Sequence, residues 1–411
     1  MKSAPSNAKQ ASSTGAMTLR LTAFLLALTA AAACKPDTPH PGVKFDGVLR
    51  EVGDGRVDAH MIQPFPCSHA SFIERGGDDG SKVMAWFSGS GEGQSDVAIV
   101  VACLKQTPDG LGQWTKATVV SQRDGYSNQN PVLFRDDFSS NKTKASPVLH
   151  LFHSQQQAKS GESHATVWHL DNPAAAAGAV CSAAAQKAWT TPTGALFGDQ
   201  GGGSFDRNRI VVGLDGSWLL PMYKQAKTNF ATMETLPPGG QPKVHKDWQY
   251  QAFPGGGDRV QPSVVRLAPG KPDLRVFFRD REAKHIYTAT SNNDGKKGSW
   301  TEAKAGVLPN NNSGIQARTL KSGRVAIVYN PQTKGRDPIA ISLSEDGGKT
   351  WKYTRVLEHE DGKQEFSYPT LIQNEADGKI HVTYTWKRLT IKHSIIDEAW
   401  IMGGNVTATT N

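Results

Sequence analysis

With 4 cysteines in 411 residues, the chain is too poor in cysteine for a disulfide-stapled miniprotein. Its 41 glycines and 23 prolines fall far short of a collagen-like content, and 37% hydrophobic residues are too many for wholesale disorder. No heptad pattern of a coiled coil is present. No Lys/Arg run of the nucleic-acid type appears, and the formal charge of +8 is mild, so nucleic acid is not an expected partner. Neither a C-x-x-C pair nor Cys/His spacing suggests zinc. His150 and His153, like His164 and His169, stand an odd number of residues apart on expected strands, which sends them to opposite faces. No metal and no cofactor is therefore expected. GDQGGGS and PGGGD lack the Lys-Ser/Thr of a phosphate loop, and no G-x-S-x-G elbow occurs.

The apolar run at residues 21–33, LTAFLLALTAAAA, is too short to span a bilayer but suits a secretory h-region, with Arg20 before it and Cys34 after it. Residues 1–33 are accordingly read as a signal peptide, with Met17 a possible true start. Their removal takes away Lys2, Lys9 and Arg20 and leaves a charge of +5. Ala31-Ala32-Ala33-Cys34 resembles a bacterial lipobox with Ala at the usual Leu position, making Cys34 the expected lipidation site. The expected location is the periplasm or cell envelope as a lipoprotein, otherwise secreted, with membrane contact by the lipid anchor only. Cys67 and Cys103 could pair in an oxidising compartment, leaving Cys181 alone.

From residue 69 onward one phrase recurs about every 54 residues: an apolar stretch, a turn, a second stretch, a loop and a third. The first stretches are HASFIE, NPVLF, RIVVGL, QPSVVRL, SGIQARTL and YPTLIQ, and the second are KVMAWF, PVLHLF, SWLLPMY, LRVFF, VAIVY and IHVTY. Each has strand length and β-rich composition. Gly216, Gly270, Gly323 and Gly378 fall at 54, 53 and 55 residue intervals, and the 136 residues from Gly80 to Gly216 leave room for two longer units. The third stretch of unit three has no clear copy, and PAAAAGAVCSAAAQ between units two and three reads as a surface insertion. Antiparallel units of this period cannot bury both faces alone, so radial closure follows: all-β, a six-bladed β-propeller. The expected organisation is 1–33 signal, 34–60 linker and latch strand, 61–402 propeller and 403–411 flexible tail. KFDGVLREV is the expected latch on the last blade.

Ser344-Glu-Asp346-Gly-Gly348-Lys-Thr-Trp351 fits S-x-D-x-G-x-x-W, the Asp box, a structural hairpin turn. Degenerate copies are Thr107-Pro-Asp109 with Trp114 and Asn292-Asn-Asp294 with Trp300. Together with EGQSDVAI, NPVLF, QPSVV, VYNP, SEDGGKTW, FSYPTLIQ and TYTWKR, over roughly residues 60 to 400, these resemble the bacterial BNR-repeat, Asp-box branch of the sialidase superfamily. That resemblance implies exo-glycosidase action on a terminal acidic sugar of a glycan.

In a propeller the starts of the inner strands face each other across one channel. Here those are His69, Asn130, Arg209, Gln261, Asn312 and Tyr368, all polar. The resemblance implies Tyr368 as nucleophile, Asp96 as acid/base with Glu92 as competitor, and Arg279 as one carboxylate-clamping arginine. The sequence departs from the family at three places. SHAS puts His69 where the first clamp arginine is carried, Gln261 replaces the glutamate that assists the tyrosine, and the third clamp arginine has no clear match in NNNSGIQARTL. Arg209, Arg388 and Lys392 are candidates to rebuild an anion site. Glu365, Glu92 or an arginine that lowers its pKa is left to activate Tyr368. Trp86, Trp218 and Trp386 are core residues or a sugar-stacking platform. A non-catalytic glycan-binding propeller and a uronic-acid polysaccharide lyase using Tyr368 and His69 are the alternatives. A monomer is expected.

Overall fold

The computed structural model describes Cys34 and residues 40–404, apart from 78–79, 106–110, 138–147, 159, 161, 174–181, 183 and 185–186. The signal segment, most of the alanine-rich insertion with Cys181, the Thr107–Asp109 copy and tail residues 405–411 lie outside the described residues.

Six antiparallel sheets form a six-bladed β-propeller. The inner strands are Cys67–Arg75, Tyr126–Asp136, Gly203–Asp206, Arg259–Arg266, Gln316–Thr319 and Phe366–Gln373, in blades one to six. Each turns back into a buried second strand, at Lys82–Gly89, Val148–Gln157, Trp218–Gln225, Leu274–Asp280, Val325–Tyr329 and Ile380–Trp386. Five of these hairpin turns carry Gly80, Gly216, Gly270, Gly323 and Gly378 at positive φ, which explains their even spacing. Blade three also reveals the third strand that the sequence pattern did not show, Phe230–Leu236. Its inner edge is split, with Arg207 to Ile210 looping out between Gly203–Asp206 and Val211–Val212.

The core lies between blades. Val83, Ala85 and Val101 of blade one, for example, join one buried cluster with Val132 and Leu151 of blade two. Closure uses the N-terminal segment, although the pairing strand is Arg56–His60, which adds to Thr390–Ile396 of blade six. The expected latch contributes Arg50–Gly53, one strand further out. Arg56, Asp58 and Lys392 form a salt-bridge network there, Lys392 lying 3.0 Å from Asp58 and also bonded to Glu358. Lys392 is thereby occupied away from the channel.

The Asp box forms as the motif requires: Ser344 Oγ accepts from Gly348 N at 2.7 Å and Asp346 accepts from Lys349 N and Thr350 N. The blade-four copy begins one residue earlier than its sequence suggests. Ser291 Oγ accepts from Gly295 N at 3.1 Å, while Asp294 reaches away to Leu214 N and Arg266. Trp86, Trp218 and Trp386 are buried core residues, so none offers a stacking face.

The disulfide joins Cys34 to Cys67, and Cys103 is buried outside it. Cys103 lies among apolar side chains between strands, whereas Cys67 starts its inner strand at the blade edge. This corrects the expected pairing. A sulfur in a disulfide has no bond left for an acyl anchor, so the bridge and lipidation of Cys34 exclude each other.

Candidate active site

Four inner strands share one irregularity at their channel end. Ladder pairing slips between His69 and Phe72, Gln129 and Val132, Val260 and Ser263, and Ser367 and Thr370. At the slip Ala70, Asn130, Gln261 and Tyr368 adopt φ between 49° and 55°. A β-bulge of this kind re-aims a side chain. Pro131, Pro262 and Pro369 follow three of them, where no ladder donor is required. Gly314 holds the corresponding place in blade five. A Cβ there would stand 3.2 Å from Gln261 Oε1 and 3.3 Å from the Tyr368 ring, so its absence lets the two side chains meet.

Tyr368 is the hub. Arg279 Nη1 donates to its hydroxyl at 2.6 Å, and Arg279 Nε donates to Asn312 Oδ1 at 2.9 Å. The guanidinium carbons of Arg207, Arg336 and Arg279 lie 5.3, 5.4 and 5.6 Å from the ring centroid. Burial pushes the phenol up, but Arg279 and Arg336 outweigh it and hold it below the ordinary tyrosine value, with Glu92 opposing them. His69 lies against the ring at 4.3 Å and bonds Thr385 Oγ1 at 2.8 Å. Burial, aided by Arg388 and Arg336, lowers its pKa far enough to keep it neutral.

Arg207 crosses the channel. It donates to the carbonyls of Ser71 in blade one and of Tyr368 and Pro369 in blade six, at 2.8 to 3.2 Å. Asn208 beside it bonds the Gln261 carbonyl and accepts from Gln316. This pair ties blades one, four, five and six to blade three.

Toward the mouth, Glu365 accepts from Arg336 at 2.6 Å, from Arg388 at 2.9 Å and from Ser367 at 2.8 Å. Burial would raise its pKa, yet Arg336 and Arg388 bring it down to about 2, so it is an anion and a poor base. Arg388 also donates to Glu92 at 2.5 Å. Glu162, a solvent-exposed residue of the short turn Glu162–His164, stands near Glu92, Arg279 and Arg281. Desolvation of its carboxyl and nearby Glu92 raise its pKa against Arg281 and Arg279.

The BNR repeat-like domain profile matches residues 80–382, about three-quarters of the chain. The chain belongs to this family. No curated protein is matched by sequence. Among solved structures, the propeller is similar to the Hadza microbial sialidase Hz136, with TM-score 0.59 and 14% identity over 82% of this chain and 66% of that one. It is also similar to the intramolecular trans-sialidase from Ruminococcus gnavus, with TM-score 0.60 and 12% identity over 82% of this chain and 96% of that one. An α-L-arabinofuranosidase from Fusarium graminearum aligns with TM-score 0.56 and 12% identity over 82% of this chain and 95% of that one. The propeller thus has the sialidase-like fold, which glycosidases with different substrates share.

On this BNR repeat-like scaffold the candidates from sequence divide. Tyr368, Arg279, His69, Gln261, Asn312, Arg388 and Glu92 gather on one face of the channel, and Asn130 sits at the matching bulge of blade two. Arg209 does not join them, because it binds Glu74 and the Ile73 carbonyl. Asp96 is exposed, with its carboxylate turned back onto Ser90 N and Oγ at 3.0 and 2.9 Å. The residues that sequence reasoning missed are Arg207, Arg336 and Glu162. Two of them, with Glu92 and Arg388, stand in loops that follow second strands, all of which open on the face where the inner strands start. Of those loops, the sequence pointed only to the first, through Glu92, and the last, through Arg388.

Proposed function

We propose that this protein is an exported glycoside hydrolase that removes a terminal acidic sugar from a glycan, with Tyr368 as nucleophile. The observation that carries the reading is the Tyr368 hydroxyl held at 2.6 Å by Arg279 in a channel mouth lined by further arginines. A tyrosine suits an anionic sugar better than an ionised carboxylate does, since like charges repel. Its oxygen would attack the anomeric carbon, and a carboxylic acid would protonate the departing oxygen. Glu162, whose pKa desolvation raises, is suited to that second task. Asp96 would first have to leave Ser90. Of the two charges beside Glu365, Arg336 and Arg388 are partly neutralised by it, so Arg279 is the arginine left to meet the substrate's acidic group.

The lyase alternative fares worse. Its base would be His69, which is 1% exposed and sealed against the Tyr368 ring, out of reach of a polymer's C–H bond. A disulfide between Cys34 and Cys67 favours an oxidising, extracytoplasmic location without an acyl anchor. A glycan-array screen with mass spectrometry of the products tests the function. Cleavage with one water added supports hydrolysis, an unsaturated product supports a lyase, and binding without cleavage supports a glycan-binding propeller.

A further inference from the structure

Among the described residues, no carboxylate and no imidazole nitrogen is hydrogen-bonded to the Tyr368 hydroxyl. That hydroxyl accepts from Arg279 Nη1, a donor with no lone pair to offer. Gln261 stands where the sialidase resemblance implies a glutamate, and its uncharged amide, beside Tyr368 across Gly314, favours the ionised phenol without being able to take its proton. Glu365 is committed to Arg336 and Arg388, and Glu92 to Arg388. From blade one His69 faces the ring as a neutral imidazole. From blade three come Arg207 and Tyr223, whose own phenol is pushed up by burial. Arg279 of blade four and Arg336 of blade five complete the surround. The positive charges thus outnumber the free negative ones, and the nearest hydrogen bond asks the oxygen to accept.

We infer that Tyr368 is activated without a general base: it loses its proton to water, and Arg279, supported by Arg336 and Arg207, holds the phenolate. In the free protein the O–H bond breaks, the proton enters bulk water and the electron pair stays on Oη. In turnover, which rests on the hydrolase reading above, that pair forms the bond to the anomeric carbon while the glycosidic C–O bond breaks and the departing oxygen takes a proton from a carboxylic acid such as Glu162. Gln261 fits this scheme because a carboxylate in its place would repel the phenolate. The downward direction of the Tyr368 pKa agrees with the geometry.

The test is a spectrophotometric titration of the folded full chain at 295 nm, where phenolate absorbs, with circular dichroism to confirm folding. One of the 8 tyrosines should ionise in a separate phase below the ordinary range near 10. That phase should vanish in Tyr368→Phe and move up by about one unit or more in Arg279→Met. Arg336→Met, at a half-buried position, should move it in the same direction and serves if Arg279→Met does not fold. Gln261→Glu should also raise it and slow turnover at neutral pH, whereas base-assisted chemistry requires faster turnover in that variant. No early phase, or one that survives Tyr368→Phe, overturns the inference. An early phase in a protein that cleaves no glycan supports arginine activation and counts against the hydrolase reading alone.

Discussion

Acid should unfold this propeller well before its carboxylates are all protonated, because its histidines are buried as neutral rings. His150 and His169 share a hydrogen bond of 3.0 Å, and so do His381 and His393. Trp114 Nε1, which can only donate, points at His393 Nδ1 at 3.1 Å. His393 must then carry its proton on Nε2 and give it to His381 Nδ1, so protonating His381 breaks the chain. Burial is the first cause in each case: it lowers His150 and His153 to about 4 and His169 and His381 to about 3, and it lowers His69 and His393 as well. The folded pKa values lie below the unfolded one near 6.5, so the unfolded chain binds more protons and stability falls as pH drops below about 6.5. Asp206 and Glu234 act in the opposite sense. Burial raises each to about 7, so the folded state holds their protons and gains stability as pH falls from about 7 toward 4. Counting His60, which burial also lowers to about 3, with His150, His153, His169 and His381, five histidines against two acids leave about three protons, and at pH 5 each is worth about 2 kcal/mol, for a loss of about 6 kcal/mol. That is a large share of a typical stability of about 5–15 kcal/mol. Urea unfolding followed by tryptophan fluorescence at pH 7.5 and 5.0 measures it. Equal midpoints at the two pH values would refute the reasoning.

Tyr368→Phe keeps the ring between His69 and Arg207, so its melting temperature should stay within a few degrees of wild type while glycan turnover falls by orders of magnitude; full activity would exclude the tyrosine mechanism. Arg279→Ala should weaken binding of an acidic sugar by roughly 2–5 kcal/mol, since the ligand's charge loses its buried partner, and calorimetry with an unchanged affinity would remove Arg279 from the binding site. Glu162→Gln should abolish the limb of the pH–rate profile on which activity falls as pH rises, and a profile that keeps this limb would assign the acid to another group. Reducing the Cys34–Cys67 bridge, which spans 33 residues, should cost up to about 4 kcal/mol of unfolding free energy and add two hydrogens to the intact mass. An acylated Cys34 in that mass would contradict the bridge.

The blade count was legible because the turn glycines and alternating strands repeat at nearly fixed intervals, and each repeat is a local signal. Tyr368, Gln261 and Asn130 were legible for the same reason, since they open the repeating phrase. Blade three was harder, for its inner edge is split where Arg207 and Asn208 leave the ladder to fill the channel. A residue that bonds to three carbonyls of two other blades carries no local mark of doing so. Arg336 hid in the same way, seven residues past VAIVY in an irregular loop with no strand register to fix its direction. Arg209 drew attention because it opens RIVVGL, yet the loop that starts at Arg207 turns it toward Glu74. The disulfide was not legible because the lipobox-like Ala31–Cys34 assigned Cys34 another role, and the apolar neighbours that bury Cys103 are distant in the chain.

In the proposed reaction the Tyr368 oxygen becomes bonded to the anomeric carbon in a covalent glycosyl intermediate. An acidic glycosyl fluoride carrying a second fluorine next to the anomeric carbon slows breakdown of such an intermediate, so the protein can be trapped, digested and read by mass spectrometry. The account predicts one added sugar on the peptide that contains Phe366 to Gln373, fragmenting to Tyr368, and none in Tyr368→Phe. Steady hydrolysis of an acidic glycan with inverted anomeric configuration and no adduct on that peptide would contradict it.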